Sequence, residues 1–329
     1  MMRRLGTFIV FLAGLIGVAI WIGPYESVAL DAPFDEAMLG SDVDSYLADR
    51  EAVFDDLEAG AEKRVVWSGE AGVKTPLSIV YVHGFSASSE EIRPVPDRIA
   101  ADLGANLYFA RLAGHGRGGD AMAGPVVNDW MIDMAEAMAI GRTLGERVVV
   151  IGTSTGGTLA AMMAQDPEMS RDVAGVVFVS PNFRIKAGLA RLLTWPGARY
   201  WLPLLAGETR EFAPQNEDHA KHWTQRYPSA ALFPMAALVQ AAREADYAGV
   251  KIPALFYFSP QDQVVDAAAA RGVATKWGGT VEVTEVAPGE GIDPYNHVIA
   301  GNILSPGGTE DAVQGILHWI GRLPLAGES

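Results

Sequence analysis

The chain has no cysteine among its 329 residues, so disulfides, thiolate metal sites and a cysteine nucleophile are excluded. Basic residues are scarce: 25 Lys plus Arg stand against 40 Asp plus Glu, a net charge of -15. An extended phosphate-binding face, and with it nucleic acid as a partner, is therefore disfavoured. Neither G-x-x-x-x-G-K-[ST] nor a G-x-G-x-x-G opening a helix is present, so no nucleotide is implied, and no cofactor or metal is expected. With 49% hydrophobic and 20% charged residues, the chain is too apolar for disorder and can bury a large core. Catalysis, if any, falls to serine, histidine, carboxylates or a metal.

One long uncharged run is present. Arg3 and Arg4 precede the 19 residues Leu5 to Gly23, about the length of a membrane-crossing helix. Residues 1–30 read as an uncleaved membrane anchor that sends the rest of the chain out of the cytoplasm into the cell envelope. A cleaved signal peptide is the second reading, resting on Pro24, Ser27 and Ala29 after the run, and leaves a periplasmic or secreted protein. The third is an apolar first helix of a soluble protein. Residues 31–64 form an acidic leader of helical character with no catalytic signature.

Beyond the leader, β-rich runs at Leu77 to Val82, Asn106 to Ala110, Arg147 to Ile151, Val173 to Val179, Ala254 to Phe258 and Val281 to Val286 alternate with amphipathic helical stretches. That order predicts an α/β fold, a mostly parallel sheet with helices on both faces and ligands at the carboxyl ends of the strands. The core is expected over 65–183 and 250–329. Residues 184–249 break the alternation, read as helical, and hold Leu189, Leu192, Leu193, Trp195, Tyr200, Trp201, Leu202, Leu204 and Leu205. They are expected to form a helical lid insertion over an acyl pocket. The alternative is an extra packed helical layer with no substrate contact.

Gly152-Thr153-Ser154-Thr155-Gly156 follows the apolar run Val148 to Ile151 and opens an Ala- and Met-rich stretch. Strand, sharp turn and helix are what a nucleophile elbow needs: the turn exposes the hydroxyl to a base while the helix N-terminus faces developing negative charge. With 36 glycines in the chain the pentapeptide alone is weak, and its context carries the argument. His219 and His222, beside Glu217 and Asp218, lack metal-site spacing and read as a solvated polar face.

With Val82-His83-Gly84-Phe85 after one strand, Gly114-His115-Gly116-Arg117 after the next, the Ser154 elbow, and a late Asp and His in that order, the chain from about Val65 to Arg322 resembles the α/β-hydrolase superfamily. The similar groups are the carboxylesterases, monoacylglycerol lipases and lysophospholipases, with a serine aminopeptidase S33-type domain. The resemblance implies a catalytic triad of Ser154 as nucleophile, Asp262 as acid and His297 as base, with backbone N–H donors of Phe85 and Thr155 as the oxyanion hole. Asp266, placed to cap the next helix, and Asp293, four residues before His297, are the competing acids. Gly114-His115-Gly116 is assigned to the site wall. A long Gly- and Pro-containing segment, Ala287 to Asn296, departs from the usual pattern before the histidine.

The implied activity is a cofactor-independent serine ester hydrolase (EC 3.1.1) acting on monoacylglycerol, lysophospholipid or similar small acyl esters. A prolyl-type serine aminopeptidase uses the same scaffold, with Glu208, Glu211 and Glu217 available for a free amino terminus. A non-catalytic protein that binds an apolar ligand is the reading from another class. Haloalkane dehalogenase and epoxide hydrolase are disfavoured, because an aspartate would stand at Ser154.

Overall fold

The computed structural model describes residues 21–324 together with Thr7, Phe11, Gly14, Leu15, Gly17 and Val18. The expected span Leu5 to Gly23 thus lies mostly outside the described residues. Among the described residues no helix is long and apolar enough to cross a membrane.

Seven strands form one sheet: β1 (Arg64–Val66), β2 (Thr75–Val82), β3 (Asn106–Phe109), β4 (Gly145–Thr153), β5 (Val173–Val179), β8 (Ala254–Phe258) and β9 (Val281–Glu285). Two further strands between β5 and β8, β6 (Thr209–Glu211) and β7 (Arg226–Pro228), pair antiparallel with each other. The large sheet runs β1-β3-β2-β4-β5-β8-β9. It is parallel throughout except at β1, which lies antiparallel on the edge against β3.

The α-helices that flank the sheet and its insertion are α1 (Val43–Glu51), α2 (Val95–Leu103), α3 (Val127–Leu144), α4 (Thr155–Met163), α5 (Ala198–Ala206), α6 (Glu217–His222), α7 (Leu232–Glu244), α8 (Ala267–Lys276) and α9 (Thr309–Ile320). Because successive strand residues point to opposite faces, each central strand feeds two cores at once. Val80, Val82, Val148, Val150, Phe256 and Phe258 pack with residues of α3, α4, α7 and α8 on one face. Ile79, Tyr81, Val149, Ile151, Leu255 and Tyr257 pack with residues of α2 and α9 on the other. The mostly parallel sheet covered on both faces is the α/β fold the sequence predicts.

The leader is stitched to this body by buried charge. Arg111 donates to both carboxylate oxygens of Glu51 at 2.7 Å. Lys63 bridges Asp133 and Glu136, and the Tyr46 hydroxyl donates to Glu136 at 2.6 Å. Leu39, Val43 and Leu47 are buried in the α3 and α4 core.

Two expectations need correction. The first strand of the sheet is β1, not the Leu77 run, and the segment between β5 and β8 is not wholly helical, since it carries the β6 and β7 pair. Three-residue strands fall below any hydrophobic period, and their pairing comes from tertiary contact.

The register aligns the carboxyl ends of the central strands, with Val82 opposite Gly152 and Thr153 opposite Val179. The loops leaving β2, β4, β5 and β8 therefore converge at one edge of the sheet, where the site lies.

Candidate active site

Ser154 sits between β4 and α4 at φ 51° and ψ -114°, a conformation non-glycine residues rarely adopt. It persists because the turn is pinned from both sides. The Ser154 N–H donates to the Val179 carbonyl at 2.9 Å, and its own carbonyl accepts the N–H groups of Thr158 and Asn182 at 3.1 and 3.0 Å. Close packing of the elbow on β2 also dictates Gly156, where a Cβ would stand 2.1 Å from the Val82 carbonyl oxygen.

The three polar side chains named from the sequence are brought together. His297 donates from Nδ1 to Asp262 Oδ2 at 2.7 Å, and its Nε2 accepts from Ser154 Oγ at 3.1 Å. Asp262 is buried and turned by its own loop: Oδ1 accepts the N–H groups of Val264 and Val265 at 2.7 and 2.9 Å. Burial alone would lower the basicity of His297. Asp262, with Glu91 and Asp293 farther off, outweighs it and raises the pKa above 6.5.

The competing acids have other work. Asp266 caps α8, accepting the Ala268 N–H at 2.9 Å, and pairs with Arg184. Asp293 is buried and organises the backbone of the histidine loop, accepting from the Tyr295 and His297 N–H groups at 3.2 and 3.3 Å. The unusual Ala287 to Asn296 segment is thereby tied down, and Gln263 N–H to the Tyr295 carbonyl, 2.9 Å, locks the acid loop to the histidine loop.

The peptide N–H groups of Phe85 and Thr155 belong to residues that border the same cavity as Ser154. As the first residue of α4, Thr155 has no acceptor for its N–H within the helix, so that donor is free for a ligand. Phe85 is held by its ring, edge-on to His115 at 5.5 Å and to Tyr227 at 5.5 Å. His83 and His115 are structural. Burial pushes their pKa values down to about 3 and about 4, and neutral His83 donates to the Gly84 carbonyl at 2.8 Å while accepting the Leu112 N–H at 3.1 Å.

Sequence reasoning missed Glu91. This carboxyl is 2% exposed and borders the cavity. Its Oε2 accepts the Gly84 N–H at 2.7 Å and the Tyr81 hydroxyl at 3.2 Å. Gly84 is required for that approach, since a Cβ there would lie 2.6 Å from Glu91 Oε1. Burial pushes the Glu91 pKa up to about 7, against the lowering effect of the Gly84 N–H and of His297. Its signal was masked by Glu90 beside it, which faces the other way to Arg64 and Arg93.

The cavity holds about 790 Å³, and residues between β5 and β8 supply most of its wall. Leu189, Leu192, Leu193 and Leu202 line it, whereas Trp195, Tyr200, Leu204 and Leu205 do not and are exposed. His219 corrects another expectation. It is 6% exposed, stacks on Phe212, meets Trp223 edge-on and lines the cavity, so α6 does not present it on a solvated face. Two neighbouring aromatic rings outcompete water for the imidazole. Among the described residues no group of three or more His, Asp or Glu side chains could hold a metal ion.

A mostly parallel sheet that carries Ser, His and Asp on loops at its carboxyl edge is the architecture of the α/β-hydrolases. The chain belongs to the family serine aminopeptidase, S33, whose model matches residues 74–289. Among characterised proteins it is similar to a thermostable monoacylglycerol lipase of Bacillus sp. (strain H-257), 26% identical over 190 residues that cover 58% of this chain and 72% of the relative. Among solved structures it is similar to one described with the metagenome-derived lipolytic enzymes LipS and LipT, at TM-score 0.64 and 20% identity, covering 80% of this chain and 98% of the other. The monoacylglycerol lipase of Paleococcus ferrophilus superposes at TM-score 0.56 with 17% identity, covering 78% and 97%. At these identities the structural likenesses establish the shared fold.

Proposed function

We propose that this chain is a serine ester hydrolase that cleaves acyl esters through an acyl-enzyme on Ser154. The observation that carries the reading is the unbroken hydrogen-bonded line Ser154, His297, Asp262 at the floor of a cavity walled by leucines. His297 takes the Ser154 proton as Oγ attacks the acyl carbonyl, and Asp262 stabilises the imidazolium. The oxyanion is received by the N–H groups of Phe85 and Thr155. His297 then protonates the departing alcohol and activates the water that frees the acid. A monoacylglycerol, lysophospholipid or similar ester is the favoured substrate class. What supports it is the lipase relative and the apolar wall, for which the segment 184–249 acts as a lid and the core spans 65–183 and 250–329.

The aminopeptidase reading loses ground, because Glu208, Glu211 and Glu217 are exposed and none lines the cavity.

We also place the protein at the cell envelope, held by residues 1–30 with the catalytic domain outside the cytoplasm, or released there after cleavage of a signal. Support comes from Arg3 and Arg4 ahead of the apolar run, and from where the chain goes next. The Pro24 carbonyl accepts the Gly197 N–H at 2.7 Å and Glu26 pairs with Arg199, so residues 24–26 lie against the start of α5 beside exposed Tyr200.

The test is hydrolysis of p-nitrophenyl esters from short to long acyl chains by the full chain and its Ser154→Ala variant. Turnover should fall by about 10⁶ in the variant. Equal activity in the two proteins would refute the mechanism.

A further inference from the structure

The cavity's wall is apolar, yet the buried polar atoms left without partners gather at it. Six buried side-chain nitrogen or oxygen atoms lack a hydrogen bond among the described residues, and three of them, Thr155 Oγ1, Asn182 Oδ1 and Arg210 Nε, belong to residues lining this cavity. Buried polar groups are nearly always satisfied, so such a concentration marks where a ligand's polar part belongs.

Of the three, Arg210 is the informative one, because a guanidinium can only donate and calls for an acceptor, best an anion. It stands on β6, opposite Tyr227 of β7, and the Tyr227 ring meets Phe85 of the oxyanion loop at 5.5 Å. Beyond the backbone pairing of β6 with β7, the Arg210 side chain forms no ion pair among the described residues, and its buried Nε has no hydrogen-bond partner. Partners are not scarce in a chain with a net charge of -15. Arg64, Arg93, Arg111, Arg142 and Arg199 each meet a carboxylate. No other arginine and no lysine lines the cavity, whose acids, Glu91 and Asp293, are already taken up by Gly84 and Tyr81 and by the histidine loop. Arg210 is half-buried, with its Nε shielded and unpartnered at the cavity wall, so an anion on the bound substrate would give this guanidinium the acceptor it lacks.

We propose that Arg210 binds an anionic oxygen group, a phosphate or a carboxylate, on the alcohol part of the acyl ester, so that this enzyme selects acidic esters over neutral ones. The proposal rests on the ester-hydrolase reading and refines it. Arg210 is a binding residue here, and bond cleavage remains with Ser154 and His297.

The experiment compares three lauroyl esters of one size below their aggregation concentrations: 1-lauroylglycerol, 1-lauroylglycerol-3-phosphate and the 3-lauroyl ester of glyceric acid. Full-length wild type, Arg210→Gln and Arg210→Lys are assayed, with Ser154→Ala as control and thermal melting to verify folding. Wild type should favour an acidic ester over the neutral one by about 10- to 30-fold in kcat/KM, the range for a charge pair at a half-buried cation. Arg210→Gln should collapse that ratio towards one, and Arg210→Lys should restore part of it. Preference for the phosphate ester alone assigns a phosphate head, and preference for the glycerate ester alone assigns a carboxylate. A neutral ester turned over as well as either acidic one, or a preference that survives in folded Arg210→Gln, overturns the inference and leaves the ester reading standing. Absence of serine-dependent turnover on all three esters and on p-nitrophenyl esters overturns both.

Discussion

The floor and the roof of the cavity are built on opposite rules. On the floor, Ser154, Asp262, His297 and Glu91 come from four loops at the sheet edge, and each side chain has an assigned polar partner. On the roof, Leu192, Leu193, Leu202 and Phe212 offer shape without direction, and the one cation among them is unpaired. A reacting group needs fixed geometry and pays for it with dense hydrogen bonding, whereas an acyl chain needs only a dry space of suitable length. Under the proposed function, the difference teaches that chemistry and selectivity are separable, with the first assigned to the sheet loops and the second to the segment between β5 and β8.

The largest effect that can break this comparison is on the floor. Asp262→Asn keeps the shape but lets the His297 ring present the wrong tautomer to Ser154, and kcat should fall by about 10⁴. Stopped assays on a variant whose melting matches wild type check it, and a loss below tenfold would move the acid to another residue. Next is Glu91. Glu91→Ala frees the Gly84 N–H and loosens the oxyanion loop, with an expected loss of about 10²-fold in kcat and little change in KM. Glu91→Gln keeps an acceptor but removes the charge.

The sign of the Glu91→Gln effect follows from His297, which must be neutral to act as base, so activity rises with pH through its raised pKa. The carboxylates facing the imidazole are Asp262, Glu91 and Asp293, while Glu91 itself is faced by Tyr81 and His297. Removing the Glu91 charge lowers the His297 pKa, and the acid limb of kcat/KM should move to lower pH. An unmoved or upward-moved limb would show that Glu91 is not charged beside the working histidine.

The smallest effect belongs to the roof. Leu193 is buried and lines the cavity, so Leu193→Trp should shorten the preferred acyl chain while changing the rate on the best ester by only about threefold. A large loss on every chain length would place the roof in the catalytic apparatus and erase the distinction.

The same contrast governs what could be read from the sequence. The elbow was legible because a strand, a sharp turn and a helix leave a local pattern, and the long buried strands β5 and β8 show as unbroken apolar runs with clear ends. Ser154, Asp262 and His297 were legible through the family resemblance, whose order of nucleophile, acid and base they match, each in a loop that follows a strand. Glu91 was not, since its significance depends on burial and on Gly84 seven residues earlier folding back to meet it. β1, β6 and β7 were invisible because three residues carry no period. In the roof, apolar residues announced burial but could not reveal that Leu202 turns into the cavity while Leu204 and Leu205 turn out, or that His219 is wrapped by aromatic rings. Arg210 looked like any other cation until its missing partner was seen.

The most direct test of the central claim is to treat the full chain with a long-chain fluorophosphonate and locate the adduct by peptide mass mapping. The account predicts a single stoichiometric adduct on Ser154, lost in Asp262→Asn on the same timescale. No adduct, or one on a serine away from the β4 and α4 turn, would contradict it.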